Sequence, residues 1–176
     1  MEPSSAQALT DAFGVRPEYP LSGLLGRLLG RPPVLLVFAQ DVLPRPYPPH
    51  LAAFRGDGPL LRRVTGYAVG DLPRSRHVSY VDLGAVDPVL SDALRAGEKS
   101  LASIMSDPRL CKQGFAWGDE GSADAPARAL AAEQPALRPY LWRRYFVAAG
   151  DVPWFFVMEL VSLADLARPA GGSSGP

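Results

Sequence analysis

The chain has 176 residues, 47% of them hydrophobic, and its 18 basic and 18 acidic side chains cancel to a formal net charge of zero. That length suits one domain with a substantial buried core, and the balanced charge leaves no electrostatic footprint for nucleic acid. A single cysteine, Cys111, excludes an internal disulfide and fits a reducing cytoplasm. The N-terminus lacks a basic stretch followed by an apolar core, so it does not read as a signal peptide. The longest apolar run elsewhere, Val34–Ala39, is far short of the ~20 residues that a spanning helix needs. The expectation is a soluble cytoplasmic protein with no membrane partner, monomeric or a small homo-oligomer.

In chain order, Ser4–Phe13 and Leu21–Leu29 carry helical spacing, the second weakened by Gly23 and Gly26. Val34–Gln40 reads as a buried strand, and the prolines at 44, 46, 48 and 49 then impose a stiff connector through His50. Leu60–Val69 is a strand by alternation. Arg62 shares a face there with Val64, Gly66 and Ala68, while Arg63 shares one with Thr65 and Tyr67. The smaller, more apolar face is expected inward, which turns Arg62 into the core, where a guanidinium needs an anion. That anion is either a protein carboxylate or a carboxylate ligand held by bidentate contacts.

Arg76–Leu83 forms a further strand, and Asp87 or Pro88 opens a helix that Gly97 stops after Ala96. Lys99–Met105 has the spacing of another helical turn. From Ser106 to Pro139 periodicity is weak, which predicts a lid, a binding loop or disorder. The tail from residue 168 is flexible by composition. His50 and His77 lack metal-ligand spacing, and neither a phosphate loop nor a nucleophile elbow is present. No metal and no organic cofactor is expected.

The most strongly patterned stretch is Tyr140–Ser162, two aromatic and β-branched arms about Gly150-Asp151. A two-residue turn there pairs Ala149 with Val152 and, counting outward, Trp142 with Glu159. Phe155, Val157, Trp142 and Phe146 then share a face with Glu159, the one ionisable residue of Pro153–Val161. A carboxylate in that setting is either a structural partner of Arg143 or Arg144, or an acid whose pKa burial has raised for catalysis.

These pieces, LWRR, a strand, a glycine turn, Pro and an apolar run ending in MELV, resemble the last two strands of the chorismate lyase family, which splits chorismate into 4-hydroxybenzoate and pyruvate. The similarity covers roughly residues 18–165. It implies an α+β fold with a single antiparallel sheet of about six strands, helices on one face and two flaps over an internal ligand cavity. The domain would span 18–167, with residues 1–17 as an N-terminal extension. By this resemblance Glu159 matches the catalytic acid/base, and Leu61-Arg62-Arg63-Val64 matches the strand of the ligand-binding arginine, which assigns that role to Arg62. Leu101 and Leu21 match the flap positions that hold the substrate carboxylate. Trp142, Phe155 and Val157 would line the pocket.

The flaps depart from the family: Ser100-Leu101-Ala102-Ser103 lacks its Pro, Gly and Arg, and Leu21 replaces a larger side chain. The expected function is therefore a cytoplasmic lyase acting on chorismate or, alternatively, a natural-product enzyme that performs cyclisation or elimination on a larger polyketide-like molecule. The basic residues are almost all Arg and Asn is absent, as in a GC-rich genome, which fits the second. A third reading is a non-catalytic small-molecule sensor, because ligand domains of some bacterial transcription regulators resemble this fold.

Overall fold

The computed structural model describes residues 5–15, 20–44, 46–54, 58–70, 72–97 and 108–163. Among the described residues, four helices, α1 (Ser5–Val15), α2 (Leu21–Leu29), α3 (Pro88–Arg95) and α4 (Ala125–Ala132), accompany seven strands. These are β1 (Val34–Leu43), β2 (Leu60–Val69), β3 (Leu72–Pro73), β4 (Ser75–Asp82), β5 (Leu110–Asp119), β6 (Tyr140–Ala149) and β7 (Val152–Ser162). They form one open antiparallel sheet in the order β1-β2-β4-β7-β6-β5, with the two-residue β3 beside β2. The α+β class and the single sheet match the expectation from sequence.

Strand β7 sits near the middle of the sheet, and all of Phe155–Ser162 is buried. Both faces of the sheet are covered, which is why this strand reads as a continuous apolar run instead of an alternation. On one face, Leu9 and Phe13 of α1 and Leu21 and Leu25 of α2 pack on Leu141 and Val161. Farther along, Leu94 of α3 and Val86, just before that helix, pack with Leu61, Val81, Val147, Phe155 and Val157. On the other face, Ala127, Leu130 and Ala131 of α4 pack with Tyr140, Trp142, Phe156, Met158 and Leu160. Helices thus cover both faces, three on one and the fourth on the other. The stretch 1–17, expected as an extension, contains Leu9 and Phe13, both fully buried; each contributes about 1.5–3 kcal/mol by burial.

Two elements, β5 and α4, lie in the segment expected to be irregular. Gly114, at φ +60, and a register shift between Gln113 and Ala116 break the alternation of β5, so one side-chain pattern becomes two short ones. Helix α4 is only eight residues long, but it is well capped. The Asp124 carboxylate accepts from Ala127 N–H at 3.0 Å, and Pro126 occupies the first turn.

The β2–β4 pair depends on one glycine. A Cβ on Gly66 would stand 2.3 Å from the backbone oxygen of Ser75 and 3.0 Å from Phe38. Backbone cannot yield as a side-chain tip does, so Gly66→Ala is expected to lower stability by roughly 1–3 kcal/mol. Urea unfolding checks this, and an unchanged midpoint would show that the strands part without cost.

Candidate functional site

Strand pairing sets Glu159 between two other polar residues. His77 of β4 is its direct partner on one side and Arg143 of β6 on the other, and Thr65 of β2 is the partner of His77. Thr65, His77, Glu159 and Arg143 therefore form one row across four central strands, on the face covered by α1, α2 and α3. His77 is 6%, Glu159 7% and Arg143 0% exposed. A row of ionisable groups at that depth is unusual in a core, since each must be paired or neutral.

The Arg143 Nε–H donates to Glu159 Oε2 in a buried ion pair. The same guanidinium lies over the Phe13 ring at 4.6 Å and near Tyr145 at 5.9 Å. His77 Nδ1 is 3.4 Å from Thr65 Oγ1, and its ring meets Tyr67 edge-on at 4.9 Å. The other ring nitrogen, Nε2, is buried without a hydrogen-bond partner. Burial raises the Tyr67 phenol, and the nearby Ser22 side chain of α2 opposes that shift.

Burial pushes the Glu159 carboxyl upward, but the charge and hydrogen bond of Arg143, with smaller contributions from His77 and Lys112, together outweigh it, and the net shift is downward. Burial lowers His77 to about 4, against the opposing pull of Glu159. Burial also raises Tyr145 well above the usual tyrosine range. At neutral pH the row therefore holds a carboxylate, a guanidinium and a neutral imidazole, with the protonated phenol of Tyr145 beside it.

Of the residues expected at a site, Glu159, Phe155 and Val157 share this face, as the alternation predicted. Leu21 is 2% exposed and packs above it with Leu141 and Val161. Trp142 and Phe146 do not share it. A register shift between Val147 and Ala148 adds one residue to β7, so Ala149 opposes Val152 while Val147 opposes Phe155. Beyond that bulge Glu159 faces Arg143, and Trp142 belongs to the α4 face, its Nε1–H donating to Asp119 O at 2.9 Å.

Arg62 also lies on the opposite face. Its Nε–H donates to Asp41 at 2.9 Å, and its side chain is 35% exposed. The arginine that shares the face of Glu159 is Arg63, 1% exposed. The choice between them rested on the smaller face turning inward, and with both faces covered that criterion cannot discriminate. Leu101 lies outside the described residues.

Sequence reasoning named Arg143 only as one of two structural partners open to Glu159, a pairing the structure shows, and did not assign His77, Arg63 or the two tyrosines to the site. Their common signal is the odd-numbered alternation in β2, β4 and β6 that matches Glu159 in β7. On the four central strands this face carries Arg63 and Arg143 against the single carboxylate of Glu159. Among the described residues no three His, Cys, Asp or Glu side chains converge as metal ligands, and no helix is long and apolar enough to cross a membrane.

No family model and no curated protein sequence matches the chain. Solved structures do. A GntR-family transcriptional regulator from Enterococcus faecalis V583 superimposes with TM-score 0.50 at 12% identity, covering 73% of this chain and 93% of that one. PhnF from Mycobacterium smegmatis gives 0.55 at 14% identity over 82% of this chain and 64% of its own. A PhnF C-terminal domain gives 0.51 at 17% identity, covering 74% and 82%. These identities show the fold alone, a fold related to that of the chorismate lyases.

Proposed function

We propose that this chain is a small-molecule-binding domain of the sensor type, in which the helix-covered row of Thr65, His77, Glu159 and Arg143 receives an anionic ligand. One observation carries the reading. Glu159 is neither a free acid nor one with a raised pKa, because Arg143 holds it ionised beside a neutral His77 whose Nε2 is unbonded. Such a centre suits recognition: a buried ring nitrogen without a partner, beside a guanidinium, favours a ligand with a hydrogen-bonding, negatively charged group. The fold likeness to regulator C-terminal domains supports the same reading, and the proposal concerns ligand binding alone.

A second reading, a lyase acting on chorismate, keeps one specific observation in its favour. Glu159 is buried on a largely apolar strand, and the sequence resemblance matches it to the family's acid. The two readings separate experimentally. Chorismate and 4-hydroxybenzoate are titrated by calorimetry while pyruvate release is followed. Sensor behaviour is saturable binding with no pyruvate above the uncatalysed rate, whereas turnover that Glu159→Gln abolishes would establish the lyase.

For any carboxylate that binds, Arg63→Ala is expected to weaken affinity by about 2–4 kcal/mol, the range for losing a buried charged partner. Arg62→Ala, on the opposite face, should leave the dissociation constant unchanged. The reverse pattern would place the ligand on the α4 face and remove the basis of the proposal.

A further inference from the structure

A cavity lies at the end of the sheet where the β6–β7 turn meets the loops flanking β2 and β4, away from the polar row. Its volume is about 790 Å³, within the range of small-molecule sites. Phe146, Val152, Pro153 and Ala85 give it apolar walls. Its polar lining is Asp82, Asp151 and Gln113, and among the described lining residues there is no cation.

The two carboxylates are placed differently. Asp151 is exposed in the turn, whereas Asp82 is 4% exposed at the end of β4. Asp82 Oδ1 accepts from Gly84 N–H at 2.9 Å, which fixes the carboxylate with one oxygen engaged. The loops beside it are pressed together through glycines: a Cβ on Gly58 would stand 2.8 Å from Gly84 N and 3.1 Å from Asp82 Oδ1. The carboxylate is thus held rigidly in a low-dielectric wall, where an anion gains most from a cationic partner.

The geometry points to a binding site for an organic ammonium ion with an apolar body. The ammonium group meets Asp82 within the cleft, Asp151 adds negative potential at the rim, and the body lies against Phe146, Val152 and Pro153. The half-buried Phe146 ring adds a face suited to a cation. This site is independent of the sensor proposal: it takes the opposite charge and uses none of the same residues.

The probe is 2-phenylethylamine, with 2-phenylethanol and phenylacetate as neutral and anionic controls, followed through the backbone amide shifts of ¹⁵N-labelled protein. The amine is expected to give saturable shifts at Gly58, Gly84 and Gln113 that neither control produces. Asp82→Asn keeps the acceptor for Gly84 and should weaken the amine about tenfold, the scale of one charge-assisted contact. Equal shifts from the alcohol, an unchanged affinity in Asp82→Asn, or shifts confined to other parts of the sheet would overturn the assignment. Should Asp82→Asn fail to fold, Ala85→Leu, which fills the cleft, takes its place: it abolishes the shifts if the site is right and leaves them intact if it is wrong.

Discussion

Glu159→Ala is expected to destabilise the protein by about 3–5 kcal/mol, the cost of leaving one member of a buried ion pair without its partner. Arg143 is fully buried and packed against Phe13, so its charge cannot reach water when the carboxylate is removed. Arg143→Met should cost a similar amount, because it strands a carboxylate in the middle of the most buried strand. The informative variant is the double replacement Arg143→Met with Glu159→Leu. It removes both charges and substitutes apolar volume, so its loss is expected to fall well below the sum of the two single losses, an interaction of order 2–3 kcal/mol. Urea unfolding of the four proteins gives the cycle. Additive losses would mean that the pair is hydrated and contributes little.

Acidification produces the second large effect. His77 has an unfolded pKa near 6.5 and a folded value of about 4, because burial disfavours the imidazolium. Below the unfolded value the denatured chain binds a proton that the native protein refuses, so stability declines as pH falls and the decline levels off near the folded value. The full decrement is roughly 3 kcal/mol, of which about 2 kcal/mol is lost by pH 5. The depressed carboxyl of Glu159 acts in the same direction at lower pH, since its stabilisation is lost as it protonates. His50, also lowered by burial, adds a smaller decrement. His77→Leu isolates the main term: the difference in unfolding free energy between pH 7.5 and pH 5 should shrink by roughly 2 kcal/mol. An unaltered difference would place the titration elsewhere.

Much of the fold was legible because strand and helix periods are local. Leu60–Val69, the β6–β7 hairpin, α2 and α3 all announce themselves through alternation, turn glycines or an Asp-Pro helix start. What failed was register and facing, which are not local. One bulge residue near Trp154 moves Trp142 and Phe146 off the face of Glu159 and brings Arg143 onto it. Gly114 hides β5 by the same kind of interruption. The choice of Arg62 over Arg63 assumed a sheet with one dry side, and α4, the helix that makes the second side dry, was itself unread. A pairing of Glu159 with Arg143 or Arg144 was therefore legible from sequence, but the bulge decides for Arg143, and His77, the other neighbour, comes from a strand far away in the chain.

The most direct test of the ligand-binding account is the titration of the Glu159 side chain, followed through its carboxyl carbon shift in ¹³C-labelled protein with Glu159→Gln used for assignment. A carboxylate locked by Arg143 stays ionised through the mildly acidic range and titrates below an ordinary glutamate, as the recognition centre requires. A midpoint raised toward neutrality would identify a proton donor suited to catalysis and would contradict the account.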